Sequence, residues 1–203
     1  MPISHLWFRL RRSAAELSKD CRGVAATEFV MIVPLMLVMF FGVVEFSSGV
    51  AVDRKVTLVA RTLSDLTSQS TTVTDTDLSN FFAASIGIMT PYAASPTQST
   101  ITELYVDPTT HKARVQWSKA STFNSSGNVV LSTSTHLQGD IVTLPAALNV
   151  DGTYLIWSEV SYTYVPTVGY VMAKTGVTLS DLTYTRPRQS SCVMYKTTVC
   201  TTF

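Results

Sequence analysis

The stretch Cys21-Arg22-Gly23-Val24-Ala25-Ala26-Thr27-Glu28 runs directly into Phe29–Val44, a stretch without any charged residue, FVMIVPLMLVMFFGVV. Sixteen helical residues cover about 24 Å at 1.5 Å each. The hydrocarbon core of a bilayer is about 30 Å thick and requires roughly 20 residues. We therefore predict a membrane span over about residues 28–50, which brings Glu28 or Glu45 to the membrane boundary.

The apolar run is favourable enough to insert with one acid near its edge. Phe29–Val44 holds eleven Leu, Ile, Val or Phe residues. Each favours membrane insertion by roughly 0.3–0.6 kcal/mol, whereas one charge at the helix centre opposes insertion by about 3 kcal/mol. Pro34 is tolerated in a membrane helix and argues against the core helix of a soluble protein. A carboxylate held at the membrane is a functional hypothesis by default. For Glu45, this hypothesis and that of a simple interfacial flank stay open.

Charge is distributed unevenly along the 203 residues. Residues 1–23 have five basic and two acidic side chains, a net charge of +3, whereas residues 24–203 have ten basic and twelve acidic ones, a net charge of −2. A basic head before an apolar run predicts a cytoplasmic N-terminus and translocation of the chain beyond the run. The short head and the lack of a later basic patch argue against nucleic-acid binding.

The three cysteines suggest a disulfide rather than a metal site. Cys21 follows Ser18, Lys19 and Asp20, which does not fit a lipidation site. Cys192 and Cys200 are eight residues apart, and export to an oxidising compartment favours a bond between them. Two free thiols in a cytosolic protein are the alternative. The histidines are far away in sequence, so we predict no zinc site.

The junction resembles a type IV prepilin processing site, and more specifically the TadE-like pseudopilins of the tight-adherence (Flp-type) pilus system. The resemblance rests on Arg22–Phe29, Val33-Pro34-Leu35 and Gly42–Phe46, and extends over residues 22–66. Tyr162–Pro166 and Arg186-Pro187-Arg188 also look like late features of that family. The tail after Arg188 is not covered.

The resemblance implies processing and assembly roles for named residues. Gly23 would precede the bond cut by a prepilin peptidase, and Val24 would become the new N-terminus. Glu28 would lie one helical turn from Val24, and its carboxylate would pair with the amine of Val24 or of a neighbouring subunit. Such a pair offsets desolvation in low dielectric. Val24 in place of Phe, and a chain far longer than the major subunit, point to a minor or accessory subunit.

We predict an α+β fold, in which a long N-terminal membrane-spanning helix precedes a small β-rich, pilin-like extracytoplasmic domain. Residues 1–23 form a basic cytoplasmic leader, 24–67 the helix and 68–203 the domain with its Cys-containing tail. Positions 56, 59, 63 and 66 form one apolar helical stripe. A polar linker comes next, and Thr74 with the acids after it predicts a capped helix at about 76–88.

From residue 100 the apolar period becomes two. Strands are predicted at 101–106, 113–117, 154–164 and 179–185, with a small tail hairpin at 192–200 and a loop-rich stretch at 119–152. The alternation places Ala113, Val115 and Trp117 on one face. A second set on one face comprises Tyr154, Ile156, Val160, Tyr162 and Tyr164.

The sequence contains no phosphate loop, zinc spacing or serine-nucleophile elbow. His111 and His136 are expected to be solvated loop residues. We predict no enzyme, no cofactor and no metal, and expect as partners prepilin peptidase, other pilins or pseudopilins, the inner-membrane assembly platform and membrane lipid.

Three functional interpretations stay open. The first is a minor pseudopilin of the inner membrane with a single span. The second is a single-span protein that keeps its leader and has an extracytoplasmic ligand-binding or scaffolding domain. The third is an exported domain cut after Gly49-Val50-Ala51. The mature N-terminus distinguishes them as Val24, Met1 or Pro2, and Val52.

Overall fold

A computed structural model describes residues 23–166 and 176–200. The predicted leader, apart from Gly23, lies outside the described residues, as does Cys21. The chain divides into two compact units, Met1–Val44 and Glu45–Phe203. The first contains the apolar run, and the second contains the whole sheet.

Helix α1 spans Val24–Ser68 and contains Pro34. Its apolar run is exposed to an unusual degree for large hydrophobic side chains, for example Met31 at 79% and Phe29 at 67%. Among the described residues, α1 is the one helix long and apolar enough to cross a membrane. Exposed apolar patches of this size are typical of surfaces that contact a membrane or another protein.

The second part of α1 is amphipathic and packs on the sheet. Val52, Val56, Val59 and Leu63 are buried at three- and four-residue spacing, which places them on one helical face. Leu66, predicted on the same stripe, is only half-buried. The fully buried positions after Leu63 are instead the small residues Ser64, Thr67 and Ser68.

The remaining elements form an antiparallel sheet with small additions. Strand β1 is Thr72–Val73, and helix α2 is Asp75–Ile86, followed by a 3₁₀ turn at Gly87–Met89. The other strands are β2 (Thr97–Val106), β3 (Ala113–Phe123), β4 (Val129–Thr133), β5 (Ile141–Val142), β6 (Tyr154–Tyr164), β7 (Val177–Thr185) and β8 (Met194–Tyr195).

The described strands of the large sheet follow the order β4-β3-β2-β6-β7, with β5 paired to β3. One face carries Ile101, Ile156 and Val160, which join the buried stripe of α1 in the main core. A smaller core on the opposite face holds Leu104, Val115, Leu155 and Trp157. The predicted fold class, a long apolar helix followed by a β-sheet domain in an α+β fold, is confirmed.

A β-bulge overturns one predicted face. The register skips a residue, because Glu103 pairs with Trp117 while Leu104 pairs with Val115. Gln116 is the extra residue, and a bulge of this kind reverses the side-chain alternation beyond it. Trp117 therefore lies in the main core and Val115 in the opposite one. The prediction that they share a face was wrong.

Other predicted elements need smaller corrections. The stretch 119–152 holds the end of β3 and all of β4, so it is less loop-rich than predicted. The tail is not a simple hairpin: β8 pairs in parallel with β1. Within the described part of the tail, the antiparallel pairing is a single bridge between Tyr195 and Thr198. The cap prediction was correct, because Thr74 and Asp77 form a reciprocal capping box.

Candidate functional site

The predicted processing junction is open to solvent in the described structure. Gly23 is exposed, and α1 begins at the next residue. A Cβ added at Gly23 would meet nothing within 4 Å. Packing among the described residues therefore gives no reason for a glycine at this position, whereas an enzyme that must approach the backbone would give one.

Val24 and Glu28 lie one turn apart on α1, and both are exposed. Side chains four residues apart on a helix are neighbours. Within residues 23–166 and 176–200, the Glu28 carboxylate has no hydrogen bond or ion pair, while the Thr27 hydroxyl donates to the Val24 carbonyl at 2.8 Å. The geometry leaves Glu28 available to a group outside the described residues.

Glu45, in contrast, is held inside the second unit. It is only 4% exposed, and the Tyr164 hydroxyl donates to its Oε2 at 2.9 Å. Burial, together with the hydrogen bond to Glu45, raises the pKa of Tyr164 to about 12, so the phenol keeps its proton. Glu45 thus joins α1 to the end of β6, and Tyr164 is a partner that sequence spacing alone did not reveal.

Polar contacts continue this attachment along α1. The Ser158 hydroxyl donates to the Ala60 carbonyl at 2.6 Å in the core, and the Ser64 hydroxyl donates to Thr185 Oγ1 at 2.6 Å. At the helix end, Arg188 forms an ion pair with Asp65 at 2.7 Å. The Arg188 amide also donates to the Ser68 carbonyl at 2.8 Å. The segment Arg186-Pro187-Arg188 therefore fastens the chain after β7 to the end of α1.

The cysteine tail covers a buried acid. Cys192 and Cys200 form a disulfide with a Cα–Cα distance of 6.4 Å, as predicted. Between them, the Val193 amide donates to Glu103 Oε1 at 2.5 Å, and Trp117 Nε1 donates to Glu103 Oε2 at 2.9 Å. Burial raises the pKa of Glu103 to about 8, although both hydrogen bonds act in the opposite direction.

Glu103 and the two sulfur atoms are close enough to be considered as metal ligands, with donor atoms within 4.8 Å of one another. The disulfide occupies both sulfurs, and metals bind thiolates rather than disulfides. The arrangement therefore fits a structural disulfide better than a metal centre.

A polar groove of about 490 Å³ lies on the sheet face opposite α1. Its lining includes Gln98, Thr100, His136, Glu159, Ser161 and Ser180. His136 Nε2 meets Glu159 Oε2 at 2.7 Å, and its ring lies 4.7 Å from that of Trp157. His136 lies in a loop, as predicted, but it is only partly exposed, because β6 supplies both a carboxylate and an aromatic ring to it. His111 is exposed, and its Nδ1 lies 2.9 Å from Asp151 Oδ2.

The family comparison matches the first part of the described chain. Residues 23–63, about a fifth of the chain, match the family described as TadE-like protein. No curated protein and no solved structure matches the chain. The match begins at Gly23 and extends through the apolar run into the amphipathic part of α1. It confirms the resemblance over this segment and is typical of a membrane protein associated with a tight-adherence pilus.

Proposed function

We propose that the protein is a minor pseudopilin or accessory subunit that takes part in assembly of a tight-adherence type IVb pilus. The observation that carries this proposal is the exposed junction Gly23–Glu28 at the start of the TadE-like match. Neither the glycine nor the carboxylate is explained by packing among the described residues. Both are explained by a processing enzyme and by a neighbouring subunit.

In this proposal, a prepilin peptidase cuts after Gly23 and leaves Val24 with a free amine. The new amine and the Glu28 carboxylate pair across one helical turn or between subunits. Two opposite charges at about 4 Å attract by roughly 4 kcal/mol at an effective dielectric of 20. Pairing therefore favours one axial register when apolar helices pack together. The role is that of a structural subunit rather than an enzyme.

The proposed location is based on charge and hydropathy. The basic leader stays in the cytoplasm, α1 crosses the inner membrane once, and the sheet domain lies in the periplasm or on a pilus. The expected partners are the prepilin peptidase, other pilins or pseudopilins, and the inner-membrane assembly platform.

The proposal is tested by the N-terminal residue of the mature protein. We expect Val24 in cells that contain the cognate peptidase, and Gly23→Val should accumulate full-length precursor. Ala26→Ser, a small change at an exposed helical position within the same junction, should be processed normally. Met1 or Pro2 at the mature N-terminus would contradict processing.

The assembly role is tested separately with Glu28→Gln, which keeps the side-chain size and removes the charge. We expect normal membrane insertion and normal cleavage but reduced pilus formation. Glu28→Asp, which keeps the charge, should retain more pili. Full piliation of the Gln variant would rule out the proposed pairing.

The polar groove favours one second candidate, a single-span protein whose outer domain binds a polar ligand. His136 and Glu159 would provide its hydrogen-bonding groups. This candidate requires the leader to stay attached, so a mature N-terminus at Val24 would count against it. Cleavage after Ala51, the third possibility, would remove Glu45 from Tyr164 and expose the buried start of the helical stripe at Val52.

A further inference from the structure

An apolar surface remains at the end of the sheet where β6 ends and β7 begins. Phe46, Val50, Val165 and Val177 are exposed at 66%, 38%, 58% and 37%. Phe46, Val50, Val177 and half-buried Leu179 line one cavity, and Val165 follows Tyr164 at the end of the neighbouring strand. We call these five residues the membrane-exit patch. A shallow cavity of about 220 Å³ opens between its helix and strand residues, with Asp53 the one charged residue among those lining it.

The helical part of the patch presents one apolar face. Phe46, Gly49, Val50 and Asp53 follow the i, i+3, i+4, i+7 spacing of a single helix face. Gly49 leaves room for the Tyr164 ring, whose Cε1 lies 3.9 Å from where a Cβ would stand. Between Glu45 and Asp53 the helix carries no charged side chain. This face is therefore uncharged from Phe46 to Val50, about one turn beyond the uncharged run, and Asp53 ends it.

The strand part of the patch lies level with Glu45. Tyr164 donates to the Glu45 carboxylate, and Val177 is its cross-strand partner on β7. Leu179 is paired with Tyr162, two residues further along. The start of β7 is therefore fixed at the height of helix residues 45–50.

The length of the apolar run indicates what covers this patch. Phe29–Val44 covers about 24 Å of a core about 30 Å thick, so about four further residues of α1 must enter it. The Glu45 carboxylate, directly after the run, accepts a hydrogen bond from the buried Tyr164 hydroxyl. The Glu28 carboxylate, directly before the run, has no such partner among the described residues. The end at Glu45 is thus equipped to lie at the hydrocarbon boundary. Tyrosine is also the residue type enriched at that depth.

We propose that the membrane-exit patch lies in the boundary zone of the bilayer and contacts lipid acyl chains, so that the sheet domain rests on the membrane through β6 and β7. The occupant of the shallow cavity is an acyl segment of a neighbouring phospholipid. The Glu45–Tyr164 hydrogen bond allows a carboxylate to enter this zone. The inference requires anchoring by α1, as in the proposed function, but not pilus assembly.

The test is depth-dependent quenching in the full-length protein, reconstituted in phosphatidylethanolamine–phosphatidylglycerol vesicles. Cys21→Ser removes the third cysteine of the chain, and Cys192 and Cys200 stay bonded. Single cysteines at Val177 or Val165 are labelled with the fluorophore NBD, and lipids carrying a doxyl quencher near the headgroup end of the acyl chain are added. Both positions are already exposed, so the substitutions should not disturb the core.

Leu182→Cys provides the matched control, because Leu182 is 50% exposed on the same strand. It lies five residues from the labelled position Val177 along β7, or about 17 Å at 3.4 Å per residue. At positions 177 and 165, we expect blue-shifted NBD emission and quenching of most of the NBD fluorescence by the doxyl lipids. At position 182, we expect little quenching. Equal and weak quenching at all three positions would overturn the proposal. Blue-shifted emission without lipid quenching would also overturn it, because it would indicate a second copy or a protein partner.

The lipid contact and the proposed function are tested by different measurements. Quenching reports where the patch lies, whereas the mature N-terminus reports processing. A protein with Val24 at its N-terminus and an unquenched patch would refute only the lipid contact.

Discussion

The Glu103 carboxylate accepts a hydrogen bond of 2.5 Å from the Val193 amide, so the centre of the sheet is joined to the disulfide-closed tail. Val193 is fully buried, as is Glu103. A carboxyl group beneath the tail couples the stability of this region to both pH and the oxidation state of the two cysteines.

The pH dependence is set by the direction of the pKa shift of Glu103. Burial raises the pKa from 4.5 to about 8, so the folded protein binds this proton more tightly than the unfolded chain. The contribution to stability is fully present below about pH 4.5 and is lost as the pH rises to about 8. We expect the free energy of unfolding, measured by urea titration, to fall across this range by several kcal/mol at most, since one unit of pKa shift corresponds to about 1.4 kcal/mol.

Glu103→Gln should flatten that dependence, since the amide does not titrate. Trp117 would still have an acceptor, because its Nε1 also donates to the Val193 carbonyl at 2.7 Å. An unaltered slope in the Gln variant would show that another group dominates.

Reduction of the disulfide should loosen the tail. Closing the loop between Cys192 and Cys200 contributes about 2–3 kcal/mol by the chain-entropy relation. We expect faster proteolysis after β7 and a lower unfolding midpoint in the Cys192→Ser, Cys200→Ser double variant. Cys21→Ser should behave like the parent protein. If the parent, the double variant and Cys21→Ser all had the same unfolding midpoint, the disulfide would not stabilise the fold.

Tyr164→Phe tests the attachment of α1 to β6. The variant keeps the ring and removes the donor to Glu45, which should cost about 1–3 kcal/mol as a buried carboxylate loses a hydrogen bond. Tyr162→Phe is the control on the same strand and face. A double-mutant cycle with Glu45→Gln measures the coupling directly, and a coupling energy near zero would mean that the hydrogen bond does not stabilise the attachment.

Gly176→Ala tests the backbone at the start of β7. Gly176 has φ of +82°, and a Cβ there would lie 3.0 Å from both Thr163 Cγ2 and the Tyr164 carbonyl oxygen. Gly139 has φ of +90° with nothing within 4 Å, so Gly139→Ala should show only the left-handed cost of about 1–2 kcal/mol. Thermal unfolding should rank Gly176→Ala as the more damaging change, and equal effects would mean that the neighbours give way.

The sequence predicted the elements that depend on local pattern. The uncharged run and the stripe at Val56, Val59 and Leu63 were enough to place α1, and Thr74 with Asp77 marked the start of α2. Ile156, Val160, Tyr162 and Tyr164 belong to the main core, as the period of two indicated.

The features that sequence did not predict depend on contacts between distant residues. The bulge at Gln116 comes from pairing with β2, and Tyr164 meets Glu45 across 119 positions. Glu103 interrupts an apolar strand, ITELYV, and its place on the Ile101 face was a signal that it is buried. The partners of that carboxyl group, from β3 and the tail, were not visible in the pattern.

The parallel pairing of β1 with β8 has a consequence for biosynthesis. The pairing partner of Thr72 is Met194. At a synthesis rate of 5–20 residues per second, Met194 is added about 6–25 s after Thr72. During that interval, the buried stripe of α1 has no complete sheet to cover it. The long helix is therefore made well before its own domain can close, and the buried stripe stays uncovered until strands β2, β3 and β6 have followed it.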